Sequence, residues 1–145
     1  MTLAPGERLV VDASVAVKWV VPEPDSDRAE SLRDHNLVAP DLLFSECANI
    51  LWKKLRLGNL TSEQASTAAQ TLEVADVVVV STKAYLRRAV AIAAALDHPA
   101  YDGIYLALAE AFGLRLVTAD DRLIRRLRES PEAFNHLALP LSEVT

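Results

Sequence analysis

A chain of 145 residues with a formal net charge of −5 and a single cysteine is long enough to bury one hydrophobic core and has no internal disulfide to rely on. Hydrophobic residues make up 51% of it and aromatics only 6%, so the core is expected to be aliphatic; the acidity excludes a generally basic nucleic-acid coat but not a local basic patch. No apolar run reaches the ~18 residues that span a bilayer, and the N-terminus lacks a signal-peptide pattern, so the expectation is one soluble, cytoplasmic domain over residues 1–145, ordered from about residue 8 to 140.

Arg8-Leu9-Val10-Val11 runs into Asp12 and reads as a buried strand ending on an acid. Ser14 is a candidate cap for a short helix from Val15 to Val20. Pro22 and Pro24 close it, and a polar helix covers Ser26 to Asp34. Leu37-Val38-Ala39 is a minimal second strand. Leu43, Cys47, Ile50, Leu51 and Leu55 recur at helical spacing across Asp41 to Leu57, with Gly58 as the stop. Thr61 and Gln64 form a capping-box pattern that opens the next helix. Val77 to Val80 predicts a third, buried strand. A helix from Ser81 or Thr82 reaches Leu96, Asp97-His98-Pro99 breaks the chain, and Tyr101 to Phe112 is helical up to Gly113. Leu114 to Thr118 is a fourth strand, Asp120 to Glu129 an amphipathic helix, and His136 to Leu139 a short fifth strand. This alternation predicts an α/β domain with a mainly parallel sheet.

Four acids stand out in that arrangement. Asp12 ends the first strand, Asp120 follows the fourth, Glu46 lies early in the helix after the second, and Asp102 begins the helix after Pro99. Ligands of open parallel sheets bind outside the carboxyl ends of the strands, so a doubly wound topology brings all four to one edge. Gathered carboxylates repel one another unless a cation screens them, and Mg²⁺ or Mn²⁺ prefers carboxylate and water oxygens. An aspartate at a helix start is also an ordinary cap, so spacing alone leaves that role open for Asp102 and Asp120. A buried strand ending on Asp12 is costly without a partner.

The residues around these acids resemble the PIN-domain nucleases, and among them the VapC toxins of toxin–antitoxin pairs. The four matching segments are Val10 to Trp19 around Asp12, Phe44 to Trp52 around Glu46, Tyr101 to Ala109 around Asp102, and Leu116 to Leu123 around Asp120. They cover essentially the whole chain, in family order. The resemblance implies a five-stranded parallel sheet of order 3-2-1-4-5 flanked by helices. It also implies a metal-dependent endoribonuclease that hydrolyses RNA phosphodiester bonds with a metal-activated water, leaving a 5′-phosphate and a 3′-hydroxyl. Carried over, Asp12 and Asp102 would be the primary ligands of Mg²⁺, which Mn²⁺ can replace. Asp120 would complete the site, and Glu46 would hold a metal-bound water or a second ion. Ser14 and Thr118 would be hydrogen-bonding supports. The family pattern Thr-x-Asp selects Asp120 over Asp121. The implied partners are RNA, a VapB-like antitoxin, a second copy of the chain in a homodimer, and DNA only through the antitoxin.

Alternative readings are a PIN nuclease of RNA processing or DNA flaps, and a non-catalytic module that binds RNA or a partner. A haloacid-dehalogenase-type phosphatase fails at Ser14, where its pattern needs a second aspartate, and a phosphotransfer receiver domain lacks its paired acid and late lysine. His35, His98 and His136 lack metal-ligand spacing and read as ordinary. Trp19 and Trp52 read as packing residues rather than base-stacking platforms. Basic clusters occur at Lys53-Lys54-Arg56, at Arg87-Arg88, and at Arg122, Arg125, Arg126 and Arg128. The last begins beside Asp120 and is the best candidate for phosphate contact or for receiving an acidic antitoxin segment.

Overall fold

Strands β1 (Arg8–Val11), β2 (Asn36–Pro40), β3 (Val78–Val80), β4 (Arg115–Thr118) and β5 (Ala138–Pro140) form one sheet in the order β3-β2-β1-β4-β5, every pairing parallel. The computed structural model describes residues 2–130 and 132–145. Its helices are α1 (Ala13–Ala16), α2 (Ser26–Ser31), α3 (Leu42–Arg56), α4 (Ser62–Glu73), α5 (Leu86–Leu96), α6 (Ala100–Phe112) and α7 (Asp121–Glu129). The α/β class and the sheet order expected from the resemblance are both present.

Alternation along β1 divides the core into two faces, as a pleated strand requires. Val10 points to a cluster with Ile92 and Leu96 of α5 and with Tyr105 to Ala109 of α6. Leu9 and Val11 point the other way, to Val15, Ala29, Leu32 and Val117. Leu3, Leu141 and Val144 join that second cluster, so segments outside the expected ordered core are anchored by it. A third cluster packs α1 against Leu43, Cys47 and Leu51 of α3 and Ala68 and Leu72 of α4.

Two local expectations are corrected. The Ser14 cap is replaced by Asp12, whose extended backbone (φ −105°, ψ 178°) and side chain, accepting from the Val15 amide, start α1 at Ala13; the helix tightens to a 3-10 turn over Val17–Trp19. The valine run does form β3, but it is not buried: Val78 is 56% and Val79 43% exposed. β3 pairs only with β2 and so lies at the sheet's edge. A run of β-branched residues specifies a strand without specifying where in the sheet it falls. The capping box of Thr61 and Gln64 is present in both directions, and Gly58 takes the left-handed conformation (φ 79°) after α3.

α5 and α6 pack closely where Gly103 faces Ala89. A Cβ on Gly103 would sit 2.6 Å from the Ala89 carbonyl oxygen, a backbone atom that cannot rotate away. Alanine raises helix propensity by about 1 kcal/mol over glycine, but overpacking costs about 1–3 kcal/mol and wins here. Gly103→Ala is therefore expected to lower stability, and Gly103→Val to lower it more, in urea unfolding. An alanine variant more stable than the parent would disprove the close contact.

Candidate active site

The chain runs from β1 outward through β2 to β3, then crosses to β4 on the other side of β1. The sheet thus changes winding direction between β1 and β4, where open α/β sheets place their ligand crevice. Register explains what gathers there. Val11 is paired with Val117, so the next residues, Asp12 and Thr118, stand side by side at the carboxyl ends of β1 and β4. A depression of about 230 Å³ opens over them, lined by Asp12, Ala13, Ser14, Glu46, Asn49, Ile50, Asp102 and Asp120. All four acids singled out in the sequence line it.

Asp12 is 5% exposed. The Ser14 hydroxyl donates to its Oδ1 at 2.5 Å, and the Thr118 hydroxyl donates to its Oδ2. Ser14 Oγ in turn accepts from the Ala119 amide at 2.9 Å, and Thr118 Oγ1 accepts from the Asp120 amide at 3.0 Å. These bonds stitch the end of β1 to the end of β4 and give Ser14 and Thr118 the supporting bonds expected of them. Burial, reinforced by the Asp102 charge, pushes the Asp12 carboxyl up from its ordinary 3.8 to about 7 against the lowering pull of the two hydroxyls.

Glu46 comes from the second turn of α3. Its Oε1 accepts from the Tyr105 hydroxyl at 2.6 Å. Burial raises its pKa, the Tyr105 bond opposes that, and the Asp102 charge adds to it. Tyr105 is fully buried on α6, and its own pKa is pushed upward by burial and by Glu46. This bond is hard to foresee, because Tyr105 reads simply as a core residue of an apolar helix. Its position one turn after Asp102 was the available clue.

Asp102 lies in the first turn of α6. Burial raises its pKa, with Asp120 adding to the rise and the His98 hydrogen bond opposing it. His98 Nε2 stands 2.5 Å from Asp102 Oδ2. Of the three histidines, all expected to be ordinary, His98 stands beside the site: a ring nitrogen of His98 and one oxygen each of Asp102 and Asp120 lie within 4.8 Å of one another, a spacing that could hold one metal ion. The Pro99 break concealed the four-residue spacing that puts His98 one turn ahead of Asp102.

Asp120 has two tasks. It caps α7 by accepting from the amides of Arg122 (3.0 Å) and Leu123 (3.3 Å), and it lines the depression. The capping role and the site position, alternatives in the sequence, coexist. Asp121 is exposed in the first turn of α7.

Burial, like-charge repulsion and inward-facing oxygens are a donor set suited to a hard divalent cation. The one cysteine is not placed as a nucleophile. Cys47 is buried, and burial followed by the nearby Glu46 charge pushes its thiol up to about 12.

Of the other singled-out residues, Trp19 packs inside and donates from Nε1 to the Ala29 carbonyl at 2.8 Å. Trp52 does not pack as expected. It is 51% exposed beneath Arg56, 5.1 Å from the ring centroid, because it faces away from the α3 stripe of Leu43, Cys47 and Leu51. Arg88 is engaged with Glu110 through two bonds of 2.6 and 2.8 Å. In the third basic cluster, Arg128 pairs with Glu143 and Arg126 with Glu129, while Arg122 sits close enough to Asp102 to lower its pKa. Arg122, Arg125, Arg126 and Glu129 line a second shallow depression of about 230 Å³.

The PIN domain profile matches residues 9–129. Ribonuclease VapC3 of Pyrobaculum aerophilum is 38% identical over 124 residues, covering 82% of this chain and 94% of that protein. The chain belongs to the VapC family of PIN-domain proteins. Among solved structures, this VapC-family chain is similar to PAE2754 from Pyrobaculum aerophilum, with a TM-score of 0.65 and 26% identity over 94% of this chain and 85% of the other. It shares its fold with a chain of a toxin–antitoxin complex from Klebsiella pneumoniae, with a TM-score of 0.59 and 14% identity over 79% and 88% of the two chains. Among the described residues of the VapC-family fold, no helix is long and apolar enough to cross a membrane.

Proposed function

We propose that this protein is a toxin-type endoribonuclease that hydrolyses RNA phosphodiester bonds and is silenced by a cognate antitoxin. The observation that carries this reading is the convergence of Asp12, Glu46, Asp102 and Asp120 on one depression at the sheet's winding reversal, in a chain related over most of its length to a named ribonuclease. The toxin–antitoxin complex that shares the fold supports the partner. Mg²⁺, or Mn²⁺ in its place, is the proposed cofactor, the cytoplasm the proposed compartment, and a homodimer the proposed assembly.

Asp12 and Asp102 would hold the divalent ion, with Asp120 completing its oxygen ligands. A cation there supplies Lewis-acid stabilisation of the phosphoryl oxygens and lowers the pKa of bound water. Ser14 and Thr118 fix the Asp12 carboxylate, so its oxygens are oriented before substrate arrives. Tyr105 occupies Glu46 Oε1 and leaves Oε2 to orient the attacking water and receive its proton. Asn49, one turn beyond Glu46 on α3, lines the same depression and can donate to a sugar or phosphate oxygen.

The direct test is cleavage of RNA by the purified protein. Activity with Mg²⁺ or Mn²⁺, lost in excess EDTA and restored by the ion, is expected. Persistent cleavage in EDTA would overturn the reading. Growth arrest on expression, relieved by an adjacent small gene, separates the toxin role from RNA processing; cleavage without arrest would favour the latter.

Arg122 is the cation proposed to meet a phosphate flanking the cut, since it follows Asp120 by two residues and its amide donates to that site acid at 3.0 Å. Arg122→Gln is expected to raise KM for RNA about three- to tenfold, leave kcat nearly unchanged, and make the salt dependence shallower by about one phosphate contact. An unaltered salt slope would remove Arg122 from the RNA path.

A further inference from the structure

The acid cluster accounts for an oxygen-only site, yet one of its buried neighbours, His98, is a nitrogen donor. His98 has only 5% of its side chain exposed, and among the described residues Asp102 is the ring's one hydrogen-bond partner. The turn that carries it is well defined. Asp97 ends α5 in the left-handed conformation (φ 50°), the His98 amide donates to the Ala93 carbonyl at 3.2 Å, and Pro99 precedes α6. The ring bonds the Asp102 carboxylate, and one oxygen of Asp120 lies within 4.8 Å of it.

We propose that His98 is a metal ligand that acts with Asp102 and Asp120, and that it tunes the site toward a first-row transition ion such as Mn²⁺ over Mg²⁺. The inference rests on the reading of these acids as a cation site. Donor atoms at 2.0–2.2 Å from one ion are at most about 4.4 Å apart. The three donors here lie within 4.8 Å of one another, so the widest pair needs only a few tenths of an ångström of closure, while the hydrogen bond between His98 Nε2 and Asp102 opens and releases its proton to solvent as the ion enters. Imidazole suits transition ions, whereas Mg²⁺ takes oxygen ligands and keeps its waters. Asp102 Oδ2 bonds His98, and Asp102 lines the depression with Asp12. The preference for a transition ion then comes from a side chain that the four acidic motifs do not contain.

The test is binding of metal alone to the EDTA-stripped full chain. Calorimetric titration with Mn²⁺ and with Mg²⁺ is expected to give at least roughly tenfold tighter binding of Mn²⁺. Pulsed electron paramagnetic resonance of the Mn²⁺ form is expected to show a nitrogen directly coupled to the ion. His98→Ala and the bulkier His98→Gln should remove that coupling and weaken Mn²⁺ about tenfold or more, while Mg²⁺ changes less than about threefold. Absence of nitrogen coupling in the parent protein overturns the proposal whether or not the variants fold. Equal weakening of both ions overturns it too, leaving His98 as a positioning residue for Asp102. Binding of neither ion by the parent overturns the cation site itself, and with it this inference.

Discussion

Asp12→Asn is expected to abolish RNA cleavage while making the metal-free protein more stable. Asparagine keeps the shape but loses the charge that would hold the cation, and loss of one ligand in a metal-assisted hydrolysis costs several kcal/mol of barrier. A fall of at least roughly 10³-fold in kcat, about 4 kcal/mol, is the expected result in a fluorescent RNA assay. Stability moves the other way because the native carboxylate is 5% exposed and close enough to Asp102 for their charges to repel. Burial without a compensating cation disfavours the charged form. The surrounding hydroxyls adapt. Thr118 Oγ1 already accepts from the Asp120 amide, and a hydroxyl oxygen has a second lone pair for an asparagine amide. A gain of about 1–3 kcal/mol at pH 8 in EDTA is expected by thermal unfolding. A variant that cuts RNA at the parent rate, or that melts lower than the metal-free parent, would refute the account of Asp12.

The metal-free protein is also expected to lose stability as pH rises through the neutral range. The sign follows from linkage. The Asp12 carboxyl titrates at 3.8 ordinarily and at about 7 in the fold. Between those values the folded protein holds a proton that the unfolded chain has released. Its contribution is therefore full below about pH 4 and gone above about pH 7. Glu46 and Asp102 are raised by burial as well and act in the same direction. Glu7 and Glu110, held low by Arg115 and Arg88, act oppositely, but both are solvent-screened ion pairs of small effect. The net is a loss of a few kcal/mol between pH 5 and 8 in EDTA. Saturating Mg²⁺ or Mn²⁺ should flatten the profile, because the ion favours the ionised form and binds only the fold. Urea unfolding with and without metal decides it, and a metal-free profile that rises with pH would contradict the burial of Asp12.

The elements were legible wherever periodicity and punctuation agreed. The Thr61–Gln64 box, Gly58 and Gly113 marked helix ends, and β1 and β4 were plain apolar runs. The acids were legible because each follows a strand or opens a helix. Whether they meet depends on strand order, and that came from the resemblance rather than from spacing. Three things were hidden for physical reasons. Val78 and Val79 look like core because propensity does not report sheet position. Tyr105 and Glu46 are 59 residues apart in sequence, and nothing local predicts so long-range a hydrogen bond. His98 lies before a proline break, so its helical spacing to Asp102 was obscured.

The position of β1 at the middle of the sheet also sets a timetable. Asp12 and Glu46 belong to the half built from β1, β2 and β3, whose strands occur consecutively in the first 80 residues. Asp102 and Asp120 arrive only with α6 and the turn after β4. Chains fold from the N-terminus as they are synthesised, so the early half can dock its helices while still holding only two of the four carboxylates. A nascent chain therefore has no complete site until residues past 120 have joined the fold.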